Sequence, residues 1–340
     1  MHQSRRQFII LLSIVILILP RPLIAHSMIP RSAVRVIAET ILHPPRLGHG
    51  VPIKVLRKLS PYCLMPIEVA VGLRKIKLSI LIVSPITRLT DNKLIDAHTN
   101  CSIRSIANNP THATILLLPG IGMPKSALLP YANYYASHGV RSILIDLQGQ
   151  GDSGGRTIGL LKMDVSDLRN LIGQMESNHL ISGNCGVLGL SYGAAVALDL
   201  AAFEPKITLV ISVAPFSQVG EALKKFIASY DSELTRNVSV NEWSQILNRV
   251  SALAGVKLAS WSPWRTVGLI KAFVFYIGGE RDPISPPNTI RRLAKLTTRK
   301  NFIIVSNKGH SGITSDWQLV TRASDKYVKR YLLTNMKKRS

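Results

Sequence analysis

The run Val187-Leu188-Gly189-Leu190-Ser191-Tyr192-Gly193-Ala194-Ala195 constrains this chain more than any other stretch. An apolar, β-rich segment breaks into Gly-x-Ser-x-Gly and resumes in small helix-forming residues, so it reads as strand, sharp turn and helix. A serine in such a turn holds a strained backbone position, and its flanking positions favour glycine because a Cβ there would meet the adjoining strand and helix. The strain lifts the Ser191 hydroxyl clear of the sheet. Ala194, Ala195, Ala197, Ala201 and Ala202 keep the following helix narrow, so it packs close to the strands and points its electropositive N-terminus at the serine.

The pattern occurs a second time, in Gly151-Asp152-Ser153-Gly154-Gly155. Ser153 sits in a glycine-rich loop, whereas Ser191 has a strand-like run before it and a helix-forming run after it. Context therefore assigns the nucleophile to Ser191. The competing reading takes the Ser153 copy as a chymotrypsin-like protease signature. Such a fold is all-β and runs His, Asp, Ser, which the helix alternation of this chain and Arg156 in place of a proline oppose.

From residue 113 onward strand and helix periods alternate, which predicts a mostly parallel sheet covered by helices. Strands are expected over 113–118, 141–147, 186–190, 207–213, 272–277 and 302–305, and helices over 126–137, 162–176 and 316–335. The strand runs are β-branched without clean alternation, as suits burial on both faces. Residues 28–105 carry Pro30, Pro44, Pro45, Pro52, Pro61 and Pro66 ahead of β-branched runs at 77–83 and 96–106. They predict an irregular segment leading into antiparallel strands.

With these residues in view the chain resembles the α/β-hydrolase superfamily, in its serine esterase and lipase-like branch, over residues 105–340. Leu118-Pro119-Gly120-Ile121-Gly122 resembles that family's oxyanion turn, and Asp146-Leu147-Gln148-Gly149-Gln150-Gly151-Asp152-Ser153 its D-x-x-G-x-G-x-S loop, which gives Ser153 a structural task. Two positions depart from the family pattern. Pro119-Gly120 stands where His-Gly is usual, and Gln148-Gly149-Gln150 where Arg-Gly-His is. The resemblance implies an α/β-hydrolase fold at 106–340, preceded by an N-terminal extension at 28–105, and a chain order of serine, acid, histidine.

A serine hydroxyl needs a general base, and the base needs an acid that fixes its tautomer and stabilises its cation. Of nine histidines only His310 follows residue 193, in the small-residue loop Asn307-Lys308-Gly309-His310-Ser311-Gly312. The acid is expected at the end of the preceding strand, where Gly279-Glu280-Arg281-Asp282-Pro283 offers Asp282, with Glu280 as the alternative. The fold supplies backbone N–H groups to the oxyanion. Tyr192 provides one and Ile121 the other.

Almost 60 residues separate the strands ending near 213 and starting near 272, which predicts a helical lid over about 216–270. Val219, Leu223, Phe226 and Ile227 share one helical face, with Lys224 and Lys225 opposite. Trp243, Trp261 and Trp264 crowd the same insertion. They either line an apolar acyl pocket or hold the helices together.

At the N-terminus Arg5 and Arg6 precede an apolar run over residues 8–19. Twelve helical residues reach about 18 Å, short of the roughly 30 Å hydrocarbon core, so a signal peptide over 1–27 fits better than a membrane span. Ser4-Arg5-Arg6-Gln7-Phe8-Ile9 resembles the twin-arginine export motif, whereas so apolar a run is more usual for the general secretory route; both routes and an uncleaved anchor stay open, and the expected location is periplasmic or secreted. The net charge is +23, and loss of residues 1–27 leaves +20. That excess either draws the protein to anionic lipid or envelope polymer or is an ordinary solvated surface, and no nucleic-acid motif accompanies it. Cys63, Cys101 and Cys185 lack metal-ligand spacing. In an oxidising compartment Cys63 and Cys101 could pair, leaving Cys185 buried in a strand.

The sequence therefore predicts an exported serine hydrolase acting on a small carboxylic ester, less readily an amide or thioester, with no cofactor or metal. The contrasting expectation is a hydrolase-like scaffold that binds without turnover. Ser191, Asp282 and His310, intact and in order, oppose it.

Overall fold

The computed structural model describes residues 31–44, 46, 51–85, 101–230, 238–258 and 261–334. The expected signal peptide at 1–27, the start of the run at 96–106 and the basic tail at 336–340 lie outside the described residues. Among the described residues one sheet contains eight strands: β1 (Cys63–Val71), β2 (Ile76–Ser84), β3 (Ala113–Leu118), β4 (Val140–Ile145), β5 (Asn184–Leu190), β6 (Ile207–Val213), β7 (Phe273–Gly279) and β8 (Lys300–Val305). Their order is β1-β2-β4-β3-β5-β6-β7-β8. The β1–β2 hairpin and the β2–β4 pair are antiparallel, and all later pairs are parallel. This is the α/β-hydrolase architecture that the sequence predicts.

Helices cover both faces, as a parallel sheet requires. The side-chain period of two divides each strand between two cores. Leu116 and Leu118 of β3 belong to one core, together with α5 (Lys162–Ser177) and α6 (Tyr192–Phe203). Ile115 and Leu117 belong to the other, with α4 (Leu129–Ser137) and α12 (Trp317–Tyr331). Between β6 and β7 lie α7 (Val219–Tyr230), α8 (Val240–Ala254) and the short α9 (Pro263–Thr266); α10 (Pro287–Leu296) joins β7 to β8, and α11 (His310–Thr314) follows β8.

The strands of residues 28–105 are the first two strands of the common sheet. Their proline content conceals two helices, α1 (Arg31–Leu42) and α2 (Ile53–Lys58), where an irregular segment is expected. In α1 the buried Val34, Ile37, Ala38, Ile41 and Leu42 follow helical spacing, and the helix packs against α8. Residues 103–106, expected as strand, form part of α3 (Ile103–Ala107). Ser102 caps it by accepting from the Ser105 N–H at 3.0 Å, while the Ser105 hydroxyl accepts from the Ser102 N–H, a reciprocal pair that outweighs the β-branched composition. A disulfide joins Cys63 to Cys101, and Cys185 is a buried free thiol in β5.

One buried carboxyl ties α6 to the covering helices. Asp199 is fully enclosed and accepts a hydrogen bond from the Thr266 hydroxyl of α9. Burial pushes its pKa up to about 7. The folded chain therefore keeps a proton on Asp199 that the unfolded chain releases near pH 4. Its contribution to stability is present in acid and is lost as pH rises through about 7. Asp199→Asn removes this dependence. Its melting temperature relative to the parent is expected to be higher at pH 8 than at pH 5, and an equal shift at both would contradict the assignment.

Candidate active site

Ser191 sits between β5 and α6 with φ 52° and ψ −110°, a region that side chains rarely adopt. Both neighbouring glycines are required sterically. A Cβ at Gly189 would lie 2.1 Å from the Gly193 carbonyl oxygen, and one at Gly193 would lie 2.3 Å from that of Leu118. The turn is fixed from outside by the Ser191 N–H, which donates to the Val213 carbonyl of β6 at 2.8 Å.

The loops after β7 and β8 bring the other two groups to the serine. His310 Nε2 lies 2.8 Å from Ser191 Oγ, and Nδ1 lies 2.8 Å from Asp282 Oδ2. Asp282 is buried, and its Oδ1 accepts from the N–H groups of Ile284 at 2.9 Å and Ser285 at 2.8 Å. These bonds to both oxygens hold one carboxylate still. The two loops touch through the Arg281 N–H, which donates to the Lys308 carbonyl at 2.9 Å. Gly279 allows this approach, since a Cβ there would fall 2.4 Å from that same carbonyl oxygen. Glu280, the alternative acid, instead accepts from the Asn307 N–H at 2.9 Å and shapes the histidine loop. Asn307 holds φ 58°, a left-handed conformation that asparagine adopts more readily than most side chains.

Tyr192 opens α6, so its N–H has no acceptor within the helix. Ile121 is the second residue of a turn closed by the Met123 N–H on the Gly120 carbonyl at 3.1 Å, which leaves the Ile121 N–H outside the turn's own bond. Gly120 borders Ser191, since a Cβ at that glycine would fall 3.6 Å from the serine Cβ. Gln150 holds the turn from behind, its Oε1 accepting the Gly122 N–H at 2.8 Å. Lys125 anchors the far end, where its N–H and Nζ donate to Asp146 at 2.6 and 2.7 Å.

Ser153 is placed apart from this cluster. It is buried, donates to the Asp146 carbonyl at 2.5 Å and accepts from the Ser79 N–H at 2.8 Å, joining its loop to β2.

Beside Ser191 lies an apolar pocket that is partly open to solvent. Helix α7 contributes Val219, Ala222, Leu223 and Phe226, so three of the four residues expected on one face border the pocket, while Ile227 is buried in the core. Ile158 and Leu160 come from the loop before α5, and Phe216 and Ile284 from the ends of two strand-following loops. These last four carry no local motif by which the sequence could have announced them. The three tryptophans lie outside the lining. Trp243 is buried in the core, Trp261 packs on Phe203 with ring centroids 5.6 Å apart, and the Trp264 ring meets the Arg265 and Arg292 guanidinium groups at 4.8 and 5.3 Å. Of the two alternatives they hold helices together. Among the described residues no group of three or more His, Cys, Asp or Glu converges to hold a metal ion.

Fold and site together are those of an alpha/beta hydrolase. A sequence model of the alpha/beta hydrolase family matches residues 115–323, more than half of the chain, and the chain belongs to that family. The Pyrococcus furiosus esterase Pf2001 shares the fold with a TM-score of 0.62 at 17% identity, over 86% of this chain and 98% of that one. The polyketide transferase grgF of a Penicillium species is 30% identical over 105 residues, which are 30% of this chain and 36% of that protein. The polyketide transferase ATR5 of Stachybotrys chlorohalonatus is 24% identical over 263 residues, 64% of this chain and 89% of that protein.

Proposed function

We propose that this hydrolase is an exported serine esterase that works through an acyl-enzyme on Ser191. The observation that carries the reading is the pair of 2.8 Å contacts linking Asp282, His310 and Ser191 at the mouth of an apolar pocket. Facing a carboxylate, a neutral imidazole carries its proton on Nδ1 and offers Nε2 as acceptor to the serine hydroxyl. As Oγ attacks the ester carbonyl, its proton passes to Nε2 and the imidazolium is stabilised by Asp282. The oxyanion accepts from the N–H groups of Ile121 and Tyr192. His310 then gives its proton to the departing alkoxide while the C–O bond breaks. Water repeats the sequence on the acyl carbonyl, so acid is released and Oγ regains its proton. The cycle balances without a cofactor.

The lining of the pocket favours an apolar acyl group. Helix α7, which lines the pocket, serves as the lid over that group. With p-nitrophenyl esters of increasing acyl length, kcat/KM is expected to rise about fourfold per buried methylene until the pocket is full, and then to fall. A flat series would contradict the acyl-pocket assignment. Two relatives bear the name transferase, so adding an alcohol to the same assay tests whether an acceptor other than water takes the acyl group.

Export is supported by the Cys63–Cys101 bond, which suits an oxidising compartment, and by Arg5 and Arg6 ahead of the short apolar run. Fractionation with N-terminal sequencing is expected to find the protein outside the cytoplasm. A cytoplasmic protein starting at Met1 would contradict it. The residual charge of +20 would then favour contact with anionic lipid or envelope polymer, released by salt.

A further inference from the structure

We infer that Asp164 is a positioning residue for the acyl pocket, its buried carboxyl joining the Tyr192 hydroxyl to the strained turn that carries Leu160. The inference rests on the reading of Ser191 as nucleophile.

Tyr192 adjoins the serine, and its ring lines the pocket 6.3 Å from the ring of Phe216. At the far end of that ring the hydroxyl donates to Asp164 Oδ2 at 2.5 Å and accepts from the Leu161 N–H at 3.3 Å. The same Oδ2 accepts from the Leu161 N–H at 3.1 Å. One carboxyl oxygen therefore meets both the residue beside the nucleophile and the chain segment that carries Leu160 into the pocket lining. That segment is strained, with φ 48° at Leu160 and 67° at Leu161, values that non-glycine residues hold only where the surroundings over-determine them. Leu160 itself borders the pocket.

A simpler role is the capping of α5, for which the bond from Leu161 suffices. The site contains more than a cap requires. Asp164 is 1% exposed, and Oδ1 has no hydrogen-bond partner, an arrangement costlier than a solvated cap. Gly159 makes room for it, since a Cβ there would lie 2.4 Å from Oδ1. The bond to Tyr192 is the feature capping leaves unexplained. It sets the distance between the tyrosine ring and the Leu160 wall, and so the fit of an acyl chain long enough to touch both.

Labelling rates with p-nitrophenyl methylphosphonate and hexylphosphonate esters test this, because both probes react with the same serine and differ only in how far they reach. Asp164→Ala is expected to lower the hexyl-to-methyl rate ratio about tenfold, the effect of one buried hydrogen bond. Asp164→Asn, whose amide oxygen can still accept the hydroxyl, should restore most of the ratio. If Asp164→Ala does not fold, Tyr192→Phe removes the hydroxyl alone and should lower the ratio in the same direction. Rates that fall together for both probes, with the ratio within about twofold of the parent and a lower melting temperature, would leave Asp164 as a cap and overturn the inference. A parent protein that neither probe labels would overturn the nucleophile reading and this one together.

Discussion

Ser191→Ala is expected to reduce ester turnover by several orders of magnitude, because it removes the atom proposed to form the acyl-enzyme while leaving the pocket in place. The alanine loses only an oxygen, and the residue 191 N–H keeps its bond to Val213. Ser153→Ala separates the two copies of the motif. It deletes the bonds to Asp146 and Ser79 inside the protein, so it should cost about 2 kcal/mol and lower the melting temperature by several degrees while turnover is largely retained. The opposite pattern, with Ser153→Ala inactive and Ser191→Ala active, would reverse the assignment.

Asp282→Asn should cost kcat a factor of about 10⁴ with little change in KM. The amide oxygen can keep the bonds from Ile284 and Ser285, so the loop stays folded. Its NH₂ group then faces His310 Nδ1 and demands an acceptor there, which moves the imidazole proton to Nε2. In that tautomer His310 cannot take the serine proton. Glu280→Gln is the control, since Glu280 bonds the Asn307 N–H and touches neither His310 nitrogen. A loss of less than about tenfold in Asp282→Asn, or a larger one in Glu280→Gln, would show that the acid is wrongly chosen.

Much of this site was legible because its constraints are local. Gly189 and Gly193 report the elbow directly, since any larger residue collides with backbone at both positions. Strands 113–118 and 207–213 stand out as apolar runs with turn signals at each end, and the structure ends β3 and β6 at those residues. His310 could be chosen because the fold fixes chain order and one histidine satisfies it.

Other features depend on partners far away in sequence. Gln150 holds the Gly120–Met123 turn across 28 residues, and Tyr192 meets Asp164 across the same separation, neither within a recognisable spacing. Leu160 and Ile158 enter the pocket from a strained loop whose shape comes from Asp164 and Gly159. The helix α1 was obscured by the prolines around it, although Val34, Ile37, Ala38 and Ile41 carry its period plainly. At 103–107 the Ser102–Ser105 cap decided helix over strand, and β-branched content alone misled.

The central claim is that Ser191 is the residue that becomes acylated, and peptide mapping after fluorophosphonate labelling tests it most directly. Trypsin cuts after Arg169 and Lys206, placing Ser191 in the peptide 170–206, while Ser153 falls in the peptide 142–156. The expected adduct lies on Ser191 within 170–206, with no label in Ser191→Ala. An adduct on 142–156, or label that persists in Ser191→Ala, would contradict the claim.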